Sequence, residues 1–407
     1  MLYFKNSELA YTYHVSVKTI SNWIEAAKQD KLGLTLYQRD GRSHITNTTQ
    51  NIALIEQLVE RGKKYRPHRA LKVVTPKPEF YKLYNQSQIY DIVSSIENRH
   101  EIPREYNYFD KGAVSWDNYT QRLARETTPN TLNATKFLLV QNEKYLDSLL
   151  SKYKKINIVD VGVGNALPVK DFLQHFLDEG KLGRYIAIDI SKEMLQIARK
   201  NVKKWFNGAV QFEDHRCDIN YEKFSDVLAQ EYMSSKSSET ANLILSFGGT
   251  ISNLRKPAAA FRILHDSMGI NDFLLHAQKL DTESSRRYFD FNLNPNSSSL
   301  APNHRLIFDL LNIDPSFYDV EMGFDSEKKE RYIRVRLKIA LTLKFDFEAG
   351  QRVLELDKGD TILLWRAWQK SALDVTKELD ESEFYPLQSS QTDDQEYILT
   401  ISRIKRN

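Results

Sequence analysis

A single cysteine, Cys217, in 407 residues excludes a disulfide framework and a cysteine-rich zinc cluster, and makes a reducing cytoplasm the expected home. No stretch approaches the ~20 apolar residues that span a bilayer. The opening, MLYFKNSELA, lacks the charged and apolar regions of a signal peptide, so an unexported protein without membrane association is expected. Neither Gly-Lys-Ser nor Gly-Lys-Thr occurs, which removes a phosphate-cradling P-loop. At roughly 150 residues per domain, the length allows two or three domains with ample core.

Net charge is also small, +3, until it is divided along the chain. Residues 1–70 hold eleven Lys or Arg (5, 18, 28, 31, 39, 42, 61, 63, 64, 66, 69) against six acids (8, 25, 30, 40, 56, 60). That segment is +5, leaving −2 for the rest. A basic end beside a near-neutral body implies a polyanion-binding module fused to something else.

Within that end, Ser7 offers an N-cap to a short helix, and Val15-Ser16 makes a turn before a second helix over 17–28. Ile20, Trp23, Ile24 and Ala27 form one apolar stripe on it, which leaves Lys18, Thr19, Ser21 and Asn22 on the other face. Cationic, amide and hydroxyl groups near a helix N-terminus are what a recognition helix presents to phosphates and base edges. Two strands, 34–39 and 42–45, flank an Asp40-Gly41 turn with Arg39 and Arg42 on either side. A further helix over 49–62 either closes the module or pairs two copies as a homodimer. The arrangement resembles the winged helix-turn-helix domains of the MerR and excisionase type, which implies duplex DNA as a partner; a protein-docking module of the same shape is the alternative. A Pro- and Lys/Arg-rich stretch, 66–78, reads as a linker, with 71–84 joining the two parts.

From 156 onward short apolar runs (156–161, 185–190, 210–212, 242–247, 273–276) alternate with helical stretches near 167–179, 191–206 and 256–267. Such alternation implies a parallel sheet covered on both faces, with its ligand at the carboxyl ends of the strands. The first loop there is Asp160-Val161-Gly162-Val163-Gly164-Asn165-Ala166, whose glycines let a ligand approach the backbone. Leu167 and Pro168 stand where a dinucleotide fingerprint needs a small residue, so nicotinamide or flavin is disfavoured. Asp189 at the tip of the next strand suits both hydroxyls of a ribose, and Asp218 after the third suits an adenine amino group.

Asp160, Gly162, Gly164, Asp189 and Asp218 together resemble the cofactor site of class I S-adenosylmethionine (SAM)-dependent methyltransferases. The run 242–254, with Gly248-Gly249-Thr250-Ile251-Ser252-Asn253-Leu254, is similar to the Gly-Ser-Thr-Ile-Gly-Asn-Phe loop of the histidine-specific Nα-methyltransferases of ergothioneine biosynthesis. Residues 106–112 (Tyr-Asn-Tyr-Phe-Asp-Lys-Gly) and 291–294 (Phe-Asn-Leu-Asn) extend the similarity, which covers about 85–405. The resemblance implies an α/β fold: a Rossmann-like class I sheet over 85–279 and 359–407, with an inserted α+β substrate-binding subdomain over 280–358 ending in a long strand, 332–347. It implies SAM contacts at Tyr106 or Tyr108, Asp160, Gly162, Gly164, Asp189 and Asp218, and substrate contacts at Thr250 and Asn253.

Two departures bear on the substrate. Thr127-Thr128-Pro129-Asn130-Thr131 stands where the family has Tyr-Tyr-Pro-Thr-Arg, and Trp365 and Ala367 follow Gly359-Asp360-Thr361-Ile362 where the family has the Glu and Ser that grip imidazole. Losing those partners leaves the ring's donors unpaired at ~1–3 kcal/mol each, so histidine is disfavoured, and Trp365 and Trp368 line either an apolar pocket or the core. The loop 247–254 lacks the Pro-Pro-aromatic element that holds a flipped base, and no cysteine follows the fourth strand, which argues against DNA methylation. Methyl transfer needs positioning more than a strong base, so no catalytic base and no metal ligand set is named. Three readings remain: an N-methyltransferase for an amino acid or other small molecule with a DNA-binding module attached, a regulator that senses SAM or a metabolite without turnover, and a protein or peptide methyltransferase.

Overall fold

The computed structural model describes residues 3–13, 15–39, 41–64, 72–127, 129–233, 239–288, 300 and 302–405. The chain divides into two compact units, Met1–Leu71 and Lys72–Asn407.

The first unit consists of α1 (Asn6–Thr12), α2 (Val17–Lys28), a hairpin of β1 (Leu36–Arg39) and β2 (Arg42–Ile45), and α3 (Thr49–Lys64). Ser16 caps α2 by accepting the Thr19 amide at 3.0 Å. The expected stripe is realised through Ile20, Ile24 and Ala27, which close on Leu9, Leu34, Ile45 and Ile55, while Trp23 packs at the edge. At α1 the N-cap is Lys5 rather than Ser7, because Glu8 reaches back to the Lys5 amide at 3.2 Å. Buried Asn51 accepts the Thr35 amide at 3.0 Å and donates to the Thr46 carbonyl at 2.9 Å, tying the hairpin to α3. Asp40 of the expected turn and most of the expected linker, 65–71, lie outside the described residues.

The second unit opens with β3 (Lys72–Val74), α4 (Pro78–Leu83) and α5 (Gln86–Arg99), then a 3-10 turn, Arg104–Tyr108, then α6 (Lys111–Leu123) and α7 (Thr131–Leu149). The linker expected to run to 84 is therefore structured from Lys72: its Val74, Phe80 and Tyr84 are buried core residues, a burial that a solvated linker does not supply. Strands and helices then alternate as β4 (Lys155–Val161), α8 (Lys170–Asp178), β5 (Leu182–Asp189), α9 (Lys192–Phe206), β6 (Gln211–Arg216), α10 (Ser225–Tyr232), β7 (Thr240–Ser246), α11 (Pro257–Ser267) and β8 (Phe273–Lys279). After α12 (Glu283–Tyr288) and α13 (Pro302–Leu310) come β9 (Tyr318–Asp325), β10 (Glu330–Leu337), β11 (Leu341–Phe347), β12 (Gly350–Leu356) and β13 (Thr361–Trp368). The chain finishes with α14 (Ala372–Glu381), β14 (Phe384–Gln391) and β15 (Tyr397–Ile404). Among the described residues no helix is long and apolar enough to cross a membrane.

The large sheet has the order β14-β15-β8-β7-β4-β5-β6. Its strands β8, β7, β4, β5 and β6 run parallel, and β15 runs against both neighbours. Every residue of β4 after Lys155 is buried, which is why this strand reads as a largely apolar run, interrupted only by Asn157 and Asp160. Helices α7, α8 and α9 cover one face and α10, α11 and α14 the other. This is the Rossmann-like α/β sheet expected from the alternation. The order turns at β4, where β5 lies on one side and β7 on the other, and a crevice opens at such a reversal beyond the strands' carboxyl ends. At the opposite ends a buried chain, in which the Asn157 amide donates to Asn242 at 2.9 Å and the Asn242 amide donates to the Asp272 carboxylate at 2.8 Å, fixes the strands' register.

Two small sheets, β13-β10-β9 and β12-β11-β3, share a second core with α4, α5 and α13. The single strand expected over 332–347 is two strands: β10 pairs with β9 and β13, whereas β11 pairs with β12 and β3, so the chain must bend between sheets. No glycine or proline marks that bend. β13, expected with the large sheet, is bonded to β10.

Candidate active site

The loops beyond β4, β5, β6 and β7 meet a segment that precedes the sheet, and together they line one cavity enclosing about 790 Å³, its mouth included. Its lining contains Tyr108, Gly162, Gly164, Asp189, Asp218, Thr250 and Asn253, all expected from sequence. Gly162 has φ of +74°, and a Cβ there would stand 2.5 Å from the Thr250 hydroxyl oxygen, so the close approach of the β4 and β7 loops requires glycine. The Gly162 amide donates to the Ile188 carbonyl at 2.8 Å, which fastens the β4 loop to the tip of β5.

Asp189 ends β5 and accepts the Ser191 amide at 2.9 Å, while Ser191 caps α9 by accepting the Met194 amide at 3.2 Å. Burial pushes the Asp189 carboxyl up to about 6, against the lowering effect of backbone hydrogen bonds from Ser191, Gly164 and Ile190. Asp218 accepts the Asn220 amide and side chain, each at 2.9 Å, and its pKa is also raised by burial. A ribose diol donates to a carboxylate better than to a carboxylic acid. Affinity for a nucleoside here is therefore expected to be flat above pH 7 and to fall as pH drops through 6, with proton release on binding near pH 6. Calorimetry between pH 5 and 8 in buffers of different ionisation enthalpy checks this, and Asp189→Asn removes the inflection.

Two expected contacts are placed elsewhere. Asp160 does not line the cavity: its carboxylate accepts the Tyr185 hydroxyl at 2.8 Å within the core, and burial raises its pKa to about 7. The alternation of a strand directs residue 160 to the same side as Ile156 and Ile158, under α7, α8 and α9, and the lining begins only past the strand's end, at Gly162. Tyr106 is a core residue, donating to Asp91 at 2.9 Å and packing on Tyr84 and Phe109. In a 3-10 turn three residues complete a revolution, so Glu105 and Tyr108 share a face and Tyr106 points away from it. Of the Tyr106-or-Tyr108 alternative, Tyr108 is the cavity residue.

Sequence reasoning missed Arg104, Glu105, Trp116 and Asn220, which also line the cavity. Trp116 stands edge-on to Tyr108 at 5.6 Å. Burial first, then the negative charges of Asp218, Asp91 and Glu101, push Glu105 up to about 7. A carboxyl with that value exchanges protons readily near neutrality.

A second cavity, about 910 Å³ with its mouth, adjoins the first and shares Arg104, Glu105, Asn220, Asn253 and Leu254 with it. Trp365 on β13 lines this second space, as do Arg255, Lys256 and Arg366. Trp368 does not: its indole donates to the Leu254 carbonyl at 2.8 Å and holds the β7 loop against β13. Thr128 and the 291–294 match lie outside the described residues.

A family model described as histidine-specific methyltransferase, SAM-dependent, matches residues 88–404. The chain belongs to that family. It is a SAM-dependent methyltransferase. Among curated proteins no relative matches. Solved structures that resemble this methyltransferase include a SAM-dependent methyltransferase from Clostridium acetobutylicum ATCC 824, at 10% identity over 72% of this chain and 99% of that one, TM-score 0.39. Human N-acetylserotonin methyltransferase in complex with SAM matches at 10% identity over 99% of this chain and 88% of that one, TM-score 0.37. The 1,6-didemethyltoxoflavin-N1-methyltransferase of Burkholderia thailandensis matches at 10% over 80% and 92%, TM-score 0.36.

The residues of this methyltransferase fit SAM. Gly162 leaves the cradle that a Cβ would fill, Asp189 offers a carboxylate at the tip of β5, and Asp218 with Asn220 offers polar partners beyond β6. Bound there, SAM would supply a methyl group on a sulfonium, and Asp189, Asp218 and Asn220 would hold the nucleoside.

The residues expected to meet DNA belong to the first unit. Lys18, Ser21, Asn22, Arg39 and Arg42 are exposed, and Arg39 and Arg42 face each other across the hairpin. Thr19 is partly buried and its hydroxyl lies 2.9 Å from that of Ser16, so it serves the helix cap. The Ser21 hydroxyl donates to the Val17 carbonyl at 3.1 Å.

Proposed function

We infer that this enzyme methylates an amine nitrogen of a small molecule, an amino acid or another, that is not histidine. The observation that carries the reading is Trp365: an indole lines the second cavity beside Asn253, at the position where the family's imidazole-gripping carboxylate is expected. An imidazole placed against an indole face leaves its ring donor unpaired, a cost of ~1–3 kcal/mol or about 10- to 100-fold in affinity. Asn253 lines both cavities and offers an amide that orients the acceptor toward the cofactor. Transfer in line with the sulfonium requires the amine neutral and aligned, which rests on this positioning.

Release of S-adenosylhomocysteine (SAH) is measured with histidine and with a panel of amines and amino acids. The expected result is turnover of at least one other amine, with histidine below about one hundredth of its kcat/KM. Histidine as the best acceptor of the panel overturns the reading.

The first unit supports a second function, binding of duplex DNA as a winged helix-turn-helix. What favours it is the exposed Lys18 and Asn22 on α2, the Arg39–Arg42 pair at the hairpin tip and the +5 charge of residues 1–70. With three or four phosphates contacted, affinity of the full chain for a mixed-sequence duplex falls with log-log salt slope of about −3 to −4, and changing both arginines to alanine reduces the slope by about 2. A mobility shift absent at low salt sinks this reading.

A further inference from the structure

Among the described residues, Arg104 is a cation without a counter-charge. Its guanidinium sits between the two cavities, 5.4 Å from the Tyr108 ring, 5.9 Å from Trp116 and 5.7 Å from Trp365. Among the described residues its one hydrogen bond is from Nε to the Tyr108 hydroxyl at 2.5 Å, and Nη1 is buried with no acceptor. The other deep arginines of the second cavity differ: Arg366 is held by Glu101 at 2.6 Å and Glu330 at 3.1 Å, and Arg99 lies 3.8 Å from Asp91. Among the described residues, Arg104 has no carboxylate partner. The residue is half-buried with Nη1 withdrawn from water; cations taken out of water are paired, and three aromatic rings stabilise a guanidinium without neutralising it. That arrangement suits a ligand's anion. Arg255 and Lys256, exposed at the wall of the same cavity, add positive charge that steers an anion inward.

We propose that the methyl acceptor carries a carboxylate and that this group docks on Arg104 at the junction of the two cavities, as a planar fork matched to a planar anion. A guanidinium offers such an anion two parallel N–H donors, which a lysine does not. The proposal rests on the small-molecule reading above and gives Arg104 the part of a specificity-determining binding residue. Placed there, a carboxylate neutralises the guanidinium.

The test uses the full chain saturated with SAH, with benzoate and the uncharged benzamide as probes in calorimetry. Wild type is expected to bind benzoate at least tenfold more tightly than benzamide. Arg104→Gln is expected to lose that preference while its SAH affinity stays within twofold, and Arg104→Lys, which keeps charge but not the fork, is expected to retain part of it. Benzoate binding no better than benzamide overturns the proposal. So does an Arg104→Gln enzyme with SAH affinity down tenfold but unchanged affinity for 5′-methylthioadenosine, which lacks the amino-acid tail; Arg104 then holds the cofactor's own carboxylate. No SAH binding by wild type would instead fail the methyltransferase reading itself.

Discussion

Asp189→Ala is expected to weaken SAM and SAH binding by about 100-fold or more, with the fold intact. Two hydroxyls donating to a carboxylate are charge-assisted bonds of ~1.5–3 kcal/mol each, and the pair together corresponds to about two to four decades. Its pKa of about 6 in the free protein reflects a burial cost on the charge, yet at pH 7 the group is already ionised, so almost none of that gain is spent on removing its proton. The same burial cost means that removing the charge does not strip the free protein of a favourable ion pair, and its Tm is expected to change little. Asp189→Asn separates shape from charge. The amide keeps one acceptor and is expected to lose most of the affinity as well. Calorimetry with SAH beside a thermal melt of the free protein reads both effects.

Gly162→Val is expected to remove cofactor binding outright and to lower stability. The backbone at 162 has φ of +74°, where a β-branched residue costs about 1–2 kcal/mol. Its Cβ would meet Thr250 Oγ1 at 2.5 Å and Cγ2 at 2.6 Å, atoms of a side chain whose hydroxyl is already bonded to the Phe247 carbonyl at 3.0 Å. Overpacking of that kind adds about 1–3 kcal/mol. Either the β4 and β7 loops part or β4 shifts, and both movements distort the cradle that the two loops form. A loss of Tm of about 4–10 °C is expected together with loss of SAH binding. Gly208→Ala provides the control, since that glycine also has positive φ, +83°, but meets nothing within 4 Å; it should cost stability and leave binding unchanged.

The centre of the large sheet was legible because its strands are buried on both faces and so read as short, largely apolar runs, β4 and β7 most plainly. Positions at strand tips followed, since topology alone fixes that Gly162, Asp189 and Asp218 share one end of the sheet. Side-chain direction was less legible. Asp160 belongs to the strand's last buried turn of the pleat and pairs with Tyr185, and Tyr106 belongs to a 3-10 turn whose period of three separates it from Tyr108. Periodicity carries no sign of a turn five residues long. Arg104, Glu105 and Trp116 were missed because they reach the cleft from the segment preceding the sheet, where no regular repeat announces a face. One signal was available: Arg104-Glu105 directly precede the Tyr106–Tyr108 pair of the family-like stretch, and charged residues beside a ligand-binding motif merited inclusion. The bend between β10 and β11 was illegible for a simpler reason, the absence of any breaker residue in 332–347.

The most direct measurement is a crystal structure of the full chain grown with SAH. The nucleoside should span the tips of β4 and β5, both ribose hydroxyls within hydrogen-bond distance of the Asp189 carboxylate and the adenine beside Asp218 and Asn220. An SAH molecule bound elsewhere, or a ribose turned away from residue 189 while that crevice stays empty, would contradict the assignment on which the rest depends.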